Sequence, residues 1–270
     1  MTEAPRSTSS ANEAVKINSA FVGVGAALGL VLWFFLFPLP LSVASGLISL
    51  SHPRLGSFLG FLGMLLMVPG VLFVARTAWG REWRRAIPLA KVNPAILVWT
   101  ILCVIAFFPV EFAWFAAVER IFGPPILADP KASLGAKWVL GLMIAAPLAE
   151  EVLFRGYGLA RIRELGGERR ALLFTTIVFA LLHGHWAKMP GTLFTGLFLG
   201  WLVLRTGSLW PAFLGHFTTN LIPVLLGWFG LLSQSDHQLS VAWTLAIGTA
   251  GLTCFALLWA LQVHRRLVPA

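Results

Sequence analysis

Ionisable and hydrogen-bonding side chains interrupt three apolar runs of this chain: Glu150, Glu151 and Arg155 in APLAEEVLFRGY, His183 in FALLHGH, and His216 with Asn220 in GHFTTN. A charge at the centre of a membrane span costs roughly 2.5–3.5 kcal/mol on insertion scales, so each needs a reason. Glu151 and Arg155 are four residues apart, on one helix face, where they can pair and lower the cost of both charges. Glu150 is turned about 100° away and is left without a dedicated cation. That condition suits a carboxylate that takes a proton from water and later returns it. His216 and Asn220 share a face one turn apart, so two hydrogen-bonding side chains aim at one point. Phe179 lies one turn before His183, placed to pack on the imidazole and hold its orientation. The chemistry these groups suit is hydrolysis within the membrane.

Simpler readings stand beside this one. Glu151 with Arg155 is equally a structural ion pair that locks its helix into the bundle. Glu150 alone could be a protonated core residue, and His183 and His216 taken singly could simply join helices. Their combination with Asn220 favours a site. Zinc is the alternative to metal-free catalysis, because two carboxylates and several histidines can ligate it. Against zinc, the chain lacks His-Glu-x-x-His, and His183 and His185 point about 200° apart on a helix. No cofactor is expected. A proton-coupled transporter would also place Glu and His at mid-membrane, but no inverted repeat is seen. A non-catalytic immunity-type membrane protein is a third reading. Glu111, in FFPVEFAWF, is expected near the outer interface, snorkelling there, with Pro109 kinking its helix. His185 is assigned at most to the exit of the cavity, and His52, His237 and His264 receive no role.

The elements that must carry these residues are membrane helices. The 270 residues are 58% hydrophobic and 11% charged, with mean hydropathy +0.83. Soluble domains are roughly half apolar and a quarter charged. Apolar runs of about 20 residues, the length that crosses a bilayer, recur along the chain. They give an all-α, polytopic transmembrane helical bundle of about eight spans: Ile17 to Phe37, Leu55 to Ala75, Pro94 to Val118, Leu134 to Ala160, Ala171 to Trp186, Pro190 to Leu204, Ser208 to Gly230 and Val241 to Val263. The stretch LSVASGLISL after Pro38 and Pro40 is too short to cross and is expected to be interfacial or re-entrant. Residues 1–16 read as a disordered cytoplasmic tail, 17–125 as N-terminal spans, 126–230 as a catalytic core and 231–270 as the last span and tail.

The net charge of +9 arises from Lys and Arg in short connections. This is how topology is set in membranes, and nucleic acid is not an expected partner. Arg76, Arg81, Arg84, Arg85 and Lys91, then Arg161, Arg163, Arg169 and Arg170, then Arg265 and Arg266 fall on one side. Arg6, Lys16 and Arg205 join them, outnumbering Arg54, Arg120, Lys131, Lys137 and Lys188 opposite. Both termini are therefore expected in the cytoplasm of a cell-membrane protein. Counting along the helices, Glu150, His183 and His216 lie roughly 16, 18 and 12 Å from the cytoplasmic face. That similar depth implies a shared polar cavity opening to the cytoplasm. Cys103 and Cys254 lie within apolar runs and signal neither a disulfide framework nor a metal cluster.

The ordered set Glu-Glu-x-x-x-Arg, Phe-x-x-x-His and His-x-x-x-Asn resembles the CPBP family of CAAX-processing and bacteriocin-processing membrane proteins, which includes the type II CAAX prenyl endopeptidases. The resemblance spans roughly Leu134 to Leu225. It implies an eight-helix, glutamate-dependent intramembrane endopeptidase with a conical cavity open to the cytosol. By that resemblance Glu150 activates water, His183 orients it, and His216 and Asn220 form the oxyanion hole, while Glu151 and Arg155 shape the site. The implied partners are the lipid bilayer and a membrane-associated or lipidated peptide or protein substrate.

Overall fold

Prolines stand in the first turns of several helices, where a missing N–H leaves no hydrogen bond unmade. In the computed structural model, which describes residues 39–122, 141–183, 186–229 and 240–265, the chain is an all-α polytopic bundle. Its helices are α1 (Leu39–Ser49), α2 (Pro53–Trp79), α3 (Pro94–Phe122), α4 (Ala146–Glu151), α5 (Leu159–Leu182), α6 (Met189–Thr206), α7 (Trp210–Trp228) and α8 (Val241–Arg265). Short 3-10 segments, Gly80–Ala86 and Trp186–Lys188, follow α2 and precede α6. Among the described residues four stretches are long and apolar enough to cross a membrane: Phe58–Ala86, Pro94–Phe122, Trp186–Thr206 and Val241–Leu261. The expected first span and the beginning of the fourth, residues 17–37 and 134–140, lie outside the described residues. The short stretch after Pro38 forms α1, whose 11 residues reach only about half-way across a bilayer and pack on α2.

The join between the fourth and fifth expected spans differs from the sequence reading. Residues 161–166 and 168–170 are helical, and the backbone leaves helical geometry at Gly167 between them, with φ 81° and ψ 172°. There the chain folds back on itself, so that Phe154 and Phe179, on either side of Gly167, meet edge to face at 5.1 Å. Charged residues favour a loop only when the backbone must leave the helix, and here one glycine is enough. A side chain at Gly167 would meet no other atom within 4 Å, so substitution tests conformation alone. Gly167→Ala is expected to lower stability by about 1–3 kcal/mol, the cost of a non-glycine residue in this region, measured by unfolding in mixed micelles. The fifth helix also ends earlier than expected, at Leu182, with His183 at its C-cap.

The basic connections meet at one end of the bundle. The Glu164 carboxylate accepts hydrogen bonds from Trp79 Nε1, an Arg85 Nη and an Arg161 Nη, each at 3.0 Å. Burial pushes this carboxyl up, but the three donors outweigh it and hold Glu164 below the usual carboxylate range. Beside this network the Ala90 N–H donates to the Gly207 carbonyl (3.1 Å) and the Leu209 N–H to the Pro88 carbonyl (2.8 Å), an antiparallel bridge between two connections. At the other end Trp114 Nε1 donates to the Ala187 carbonyl at 2.8 Å, and Phe122 meets Trp186 edge to face. Between these ends an aromatic core of Trp99, Phe198, Trp201 and Trp259 joins α3, α6 and α8, with Trp99 Nε1 donating to the Leu258 carbonyl at 2.9 Å. Cys103 is buried in that core, while Cys254 is exposed on α8, and both are free thiols.

Candidate active site

Two wide helical turns frame the glutamate pair. Gly141–Ala145 and Val152–Gly158 adopt π-helical geometry on either side of α4. Such turns are rare and concentrate at functional positions, because an extra residue per turn re-aims the side chains that follow. Glu150, Glu151, Arg155 and His216 are 9, 1, 3 and 6% exposed, so each charge needs a partner supplied by the fold.

Those partners converge on Glu151. Arg155 Nη1 donates to its Oε1 at 3.0 Å, the pairing expected from the four-residue spacing. His216 Nδ1 lies 2.8 Å from the same oxygen. A carboxylate paired with a guanidinium only accepts, so His216 Nδ1 carries the proton and donates it to Glu151. The other ring nitrogen, Nε2, then faces Glu150 Oε2 at 3.8 Å. Among the described residues Glu150 Oε2 is buried and receives no hydrogen bond. Arg155, Glu151, His216 and Glu150 therefore form one line of polar groups, in which Glu151 orients the imidazole and Glu150 stands at the far end.

Phe179 holds this line from below. Its ring centroid lies 3.9 Å from the Arg155 guanidinium carbon, a cation–π contact in a dry setting. The ring meets His183 edge to face at 4.6 Å and His216 at 5.8 Å and 89°. The packing on His183 is that expected from the Phe-x-x-x-His spacing. His183 is also fixed by its backbone: Nδ1 is 2.8 Å from the Phe179 carbonyl. A carbonyl only accepts, so in the neutral ring Nδ1 is the donor and Nε2 keeps the lone pair.

The structure thus gathers Glu150, Glu151, Arg155, Phe179 and His216 into direct contact. His183 is exposed and joins them through Phe179, with no hydrogen bond or ion pair to Glu150 among the described residues. Asn220 is half-buried one turn beyond His216 on α7 and makes no hydrogen bond to the others among the described residues. His185 lies outside the described residues. Among the described residues no three His, Cys, Asp or Glu side chains converge as metal ligands, and Glu151 Oε1 is already committed to Arg155 and His216.

Sequence reasoning divided the glutamates between chemistry and structure and missed the Glu151 to His216 bond, which joins residues 65 positions apart. No local spacing signals a contact at that separation. Glu111 also departs from expectation. It is half-buried in a cleft between α3, α6 and α7, lined by Val104, Phe107, Phe194, Thr195, Phe198 and Thr219, instead of reaching out to the interface.

Residues 132–222 match the family model described as Rce1-like, type II CAAX prenyl endopeptidase. The matched segment contains all seven candidate residues from Glu150 to Asn220. No curated protein and no solved structure matches the chain.

Proposed function

Taking as premise that residues 132–222 carry the sequence of the Rce1-like type II CAAX prenyl endopeptidase family, we propose that this multi-pass membrane protein is an intramembrane endopeptidase using Glu150 as its general base. The observation that carries this reading is the facing pair of Glu150 Oε2 and His216 Nε2 at 3.8 Å, with the far side of the imidazole tied to Glu151. The nucleophile in this reading is a water hydrogen-bonded to Glu150 Oε2. Glu150 removes a proton from this water as its oxygen attacks the scissile carbonyl carbon. His183 Nε2, with its lone pair free, accepts the water's second hydrogen and aligns it.

Negative charge then develops on the carbonyl oxygen. Asn220 supplies an N–H donor, and His216 supplies a second when its ring carries both protons. The Glu151 carboxylate is placed to stabilise that imidazolium, with Arg155 and Phe179 fixing its position. The tetrahedral intermediate collapses with cleavage of the C–N bond, and the protonated Glu150 delivers its proton to the leaving amine. No step requires a metal. A zinc-dependent version needs ligands that the Glu151 commitments leave scarce.

The substrate class is a membrane-associated or lipidated polypeptide, cut near the cytoplasmic face. This sidedness is an inference from the positive-inside rule applied to the basic connections, and by the same rule we propose that both termini are cytoplasmic. Protein reconstituted in liposomes and given farnesylated CAAX peptides, the same peptides without lipid, and unmodified transmembrane peptides is expected to cleave at least one class. Cleavage is expected to persist in a strong chelator. Full loss restored by added zinc would overturn the metal-free mechanism, and collapse of a solute gradient with no peptide cut would favour a transporter.

A further inference from the structure

The end of the bundle where the basic connections meet carries more positive charge than its own carboxylates can use, and the mechanism above draws on none of it. Glu82, Glu164 and Glu168 are the carboxylates there among the described residues, and each is already engaged. Arg85 pairs with Glu82 and Glu164, Arg161 with Glu164, and Arg163 with Glu168. Arg76, Arg81, Arg84, Arg169 and Arg170 are exposed and have no carboxylate partner among the described residues. Lys91 and Arg205, also exposed, stand beside the antiparallel bridge between their two connections. Because Arg85 reaches Glu164 and the Ala90 N–H reaches the Gly207 carbonyl, the three connections are knit into one face.

Topology requires positive charge on one side of a membrane, but not a fixed arrangement of it. Here part of the arrangement is fixed. The 3-10 segment Gly80–Ala86 follows α2 directly and closes the apolar stretch Phe58–Ala86, so it lies at a bilayer boundary. Its last residue, Ala86, is fully buried, and the Ala86 carbonyl oxygen fills the place that a Cβ on Gly156 would need. The segment is therefore seated on the backbone of the bundle. At its start Trp79 donates to Glu164 and meets Tyr157 edge to face at 5.4 Å. Within it Trp83 is half-buried, with the Arg84 guanidinium carbon 5.8 Å from its ring centroid. An indole with a guanidinium beside it suits the headgroup layer, where one side is apolar and the other wet.

The chemistry that completes such a face is a phosphate anion. All but one of its unpartnered cations are arginines, whose planar forks match phosphate oxygens in pairs. At the depth of Trp83 the anions present in quantity are lipid headgroups, and clusters of Lys and Arg directly beside a membrane helix attract anionic lipids. We propose that Gly80–Ala86, with the adjoining connection 161–170, is a docking surface for the headgroups of anionic phospholipids, and that Arg81 and Arg84 are its principal contacts. These two lie on the seated segment on either side of Trp83, and the intervening Glu82 is engaged by Arg85. Such binding is independent of the endopeptidase chemistry and is read without a peptide substrate.

The test uses the full chain in detergent micelles, titrated with phosphatidylglycerol or with phosphatidylcholine of the same acyl chains, bound lipid being counted by native mass spectrometry. The parent is expected to retain phosphatidylglycerol in preference. Each cation near a membrane surface is worth about fivefold in affinity, so Arg81→Gln with Arg84→Gln is expected to weaken phosphatidylglycerol retention roughly 25-fold and to leave phosphatidylcholine unchanged. Arg120→Gln, which removes an exposed charge at the opposite end of α3 from Lys91, is expected to change neither. Equal retention of the two lipids by the parent, or an equal loss in Arg120→Gln, would overturn the proposal. So would displacement of bound phosphatidylglycerol by equimolar inorganic phosphate, which would assign the surface to a free anion. A second measurement needs no variant: added salt is expected to release phosphatidylglycerol from the parent and not phosphatidylcholine, and salt-independent retention of both would count against headgroup docking.

Discussion

Glu150→Gln is expected to abolish cleavage while leaving the bundle folded, with kcat reduced by at least the 10²- to 10⁴-fold typical of a general base. Glutamine preserves the size of the side chain and can still hold a water by hydrogen bonds. It cannot take the proton. Glu150 Oε2 receives no hydrogen bond among the described residues, so the exchange breaks none there and removes a buried charge, and the thermal midpoint should hardly move. Single-turnover cleavage in liposomes, beside an unfolding curve for the same preparation, separates the two effects. Undiminished cleavage by the variant would remove Glu150 from the mechanism.

Glu151→Gln should behave in the opposite way, as a loss of fold first. Arg155 is 3% exposed and Glu151 1% exposed, and no water at that depth can replace the lost carboxylate. Breaking one half of a buried pair costs about 3–5 kcal/mol, because the other charge is left uncompensated. Glutamine keeps one carbonyl oxygen able to accept from His216 Nδ1, so what the variant loses is the negative charge that holds Arg155. The double replacement Glu151→Leu with Arg155→Met separates these consequences. Removing both charges is expected to return most of the stability, since apolar residues of similar volume often replace a buried pair without cost. Activity is expected to stay lost, since the imidazole then has no group to fix its tautomer. Stability is measured by unfolding in mixed micelles and activity by peptide cleavage. Recovery of both together would make Glu151 and Arg155 purely structural.

What was legible in the sequence follows the range of the physics involved. The membrane bundle was legible because hydrocarbon thickness writes itself into run lengths. The Glu151 to Arg155 pair and the packing of Phe179 on His183 were legible because both span four residues of one helix. The similar depth of the glutamate pair and His216 was legible from counting. The bond from Glu151 to His216, the cation–π contact of Arg155 with Phe179 and the place of Glu111 against Gly191 were not, because each joins separate helices whose rotation no local pattern specifies. The π-helical turns were hidden for a related reason. They depend on how the tertiary fold pulls a helix wider, and residues such as Val152 and Leu153 carry no mark of it. Between the fourth and fifth expected spans the polar residues marked a connection, and the backbone makes it with one position of positive φ at Gly167.

The ring of Phe179 gives both histidines a common mechanical support. Its face is taken by Arg155, and the two imidazoles meet the same ring at 65° for His183 and 89° for His216. On the proposed mechanism, water alignment and oxyanion stabilisation fall to histidines on different helices and therefore cannot be adjusted one at a time through this position. Any drift that improves the tilt of one imidazole displaces the other, so the two histidines are constrained to evolve as a single unit.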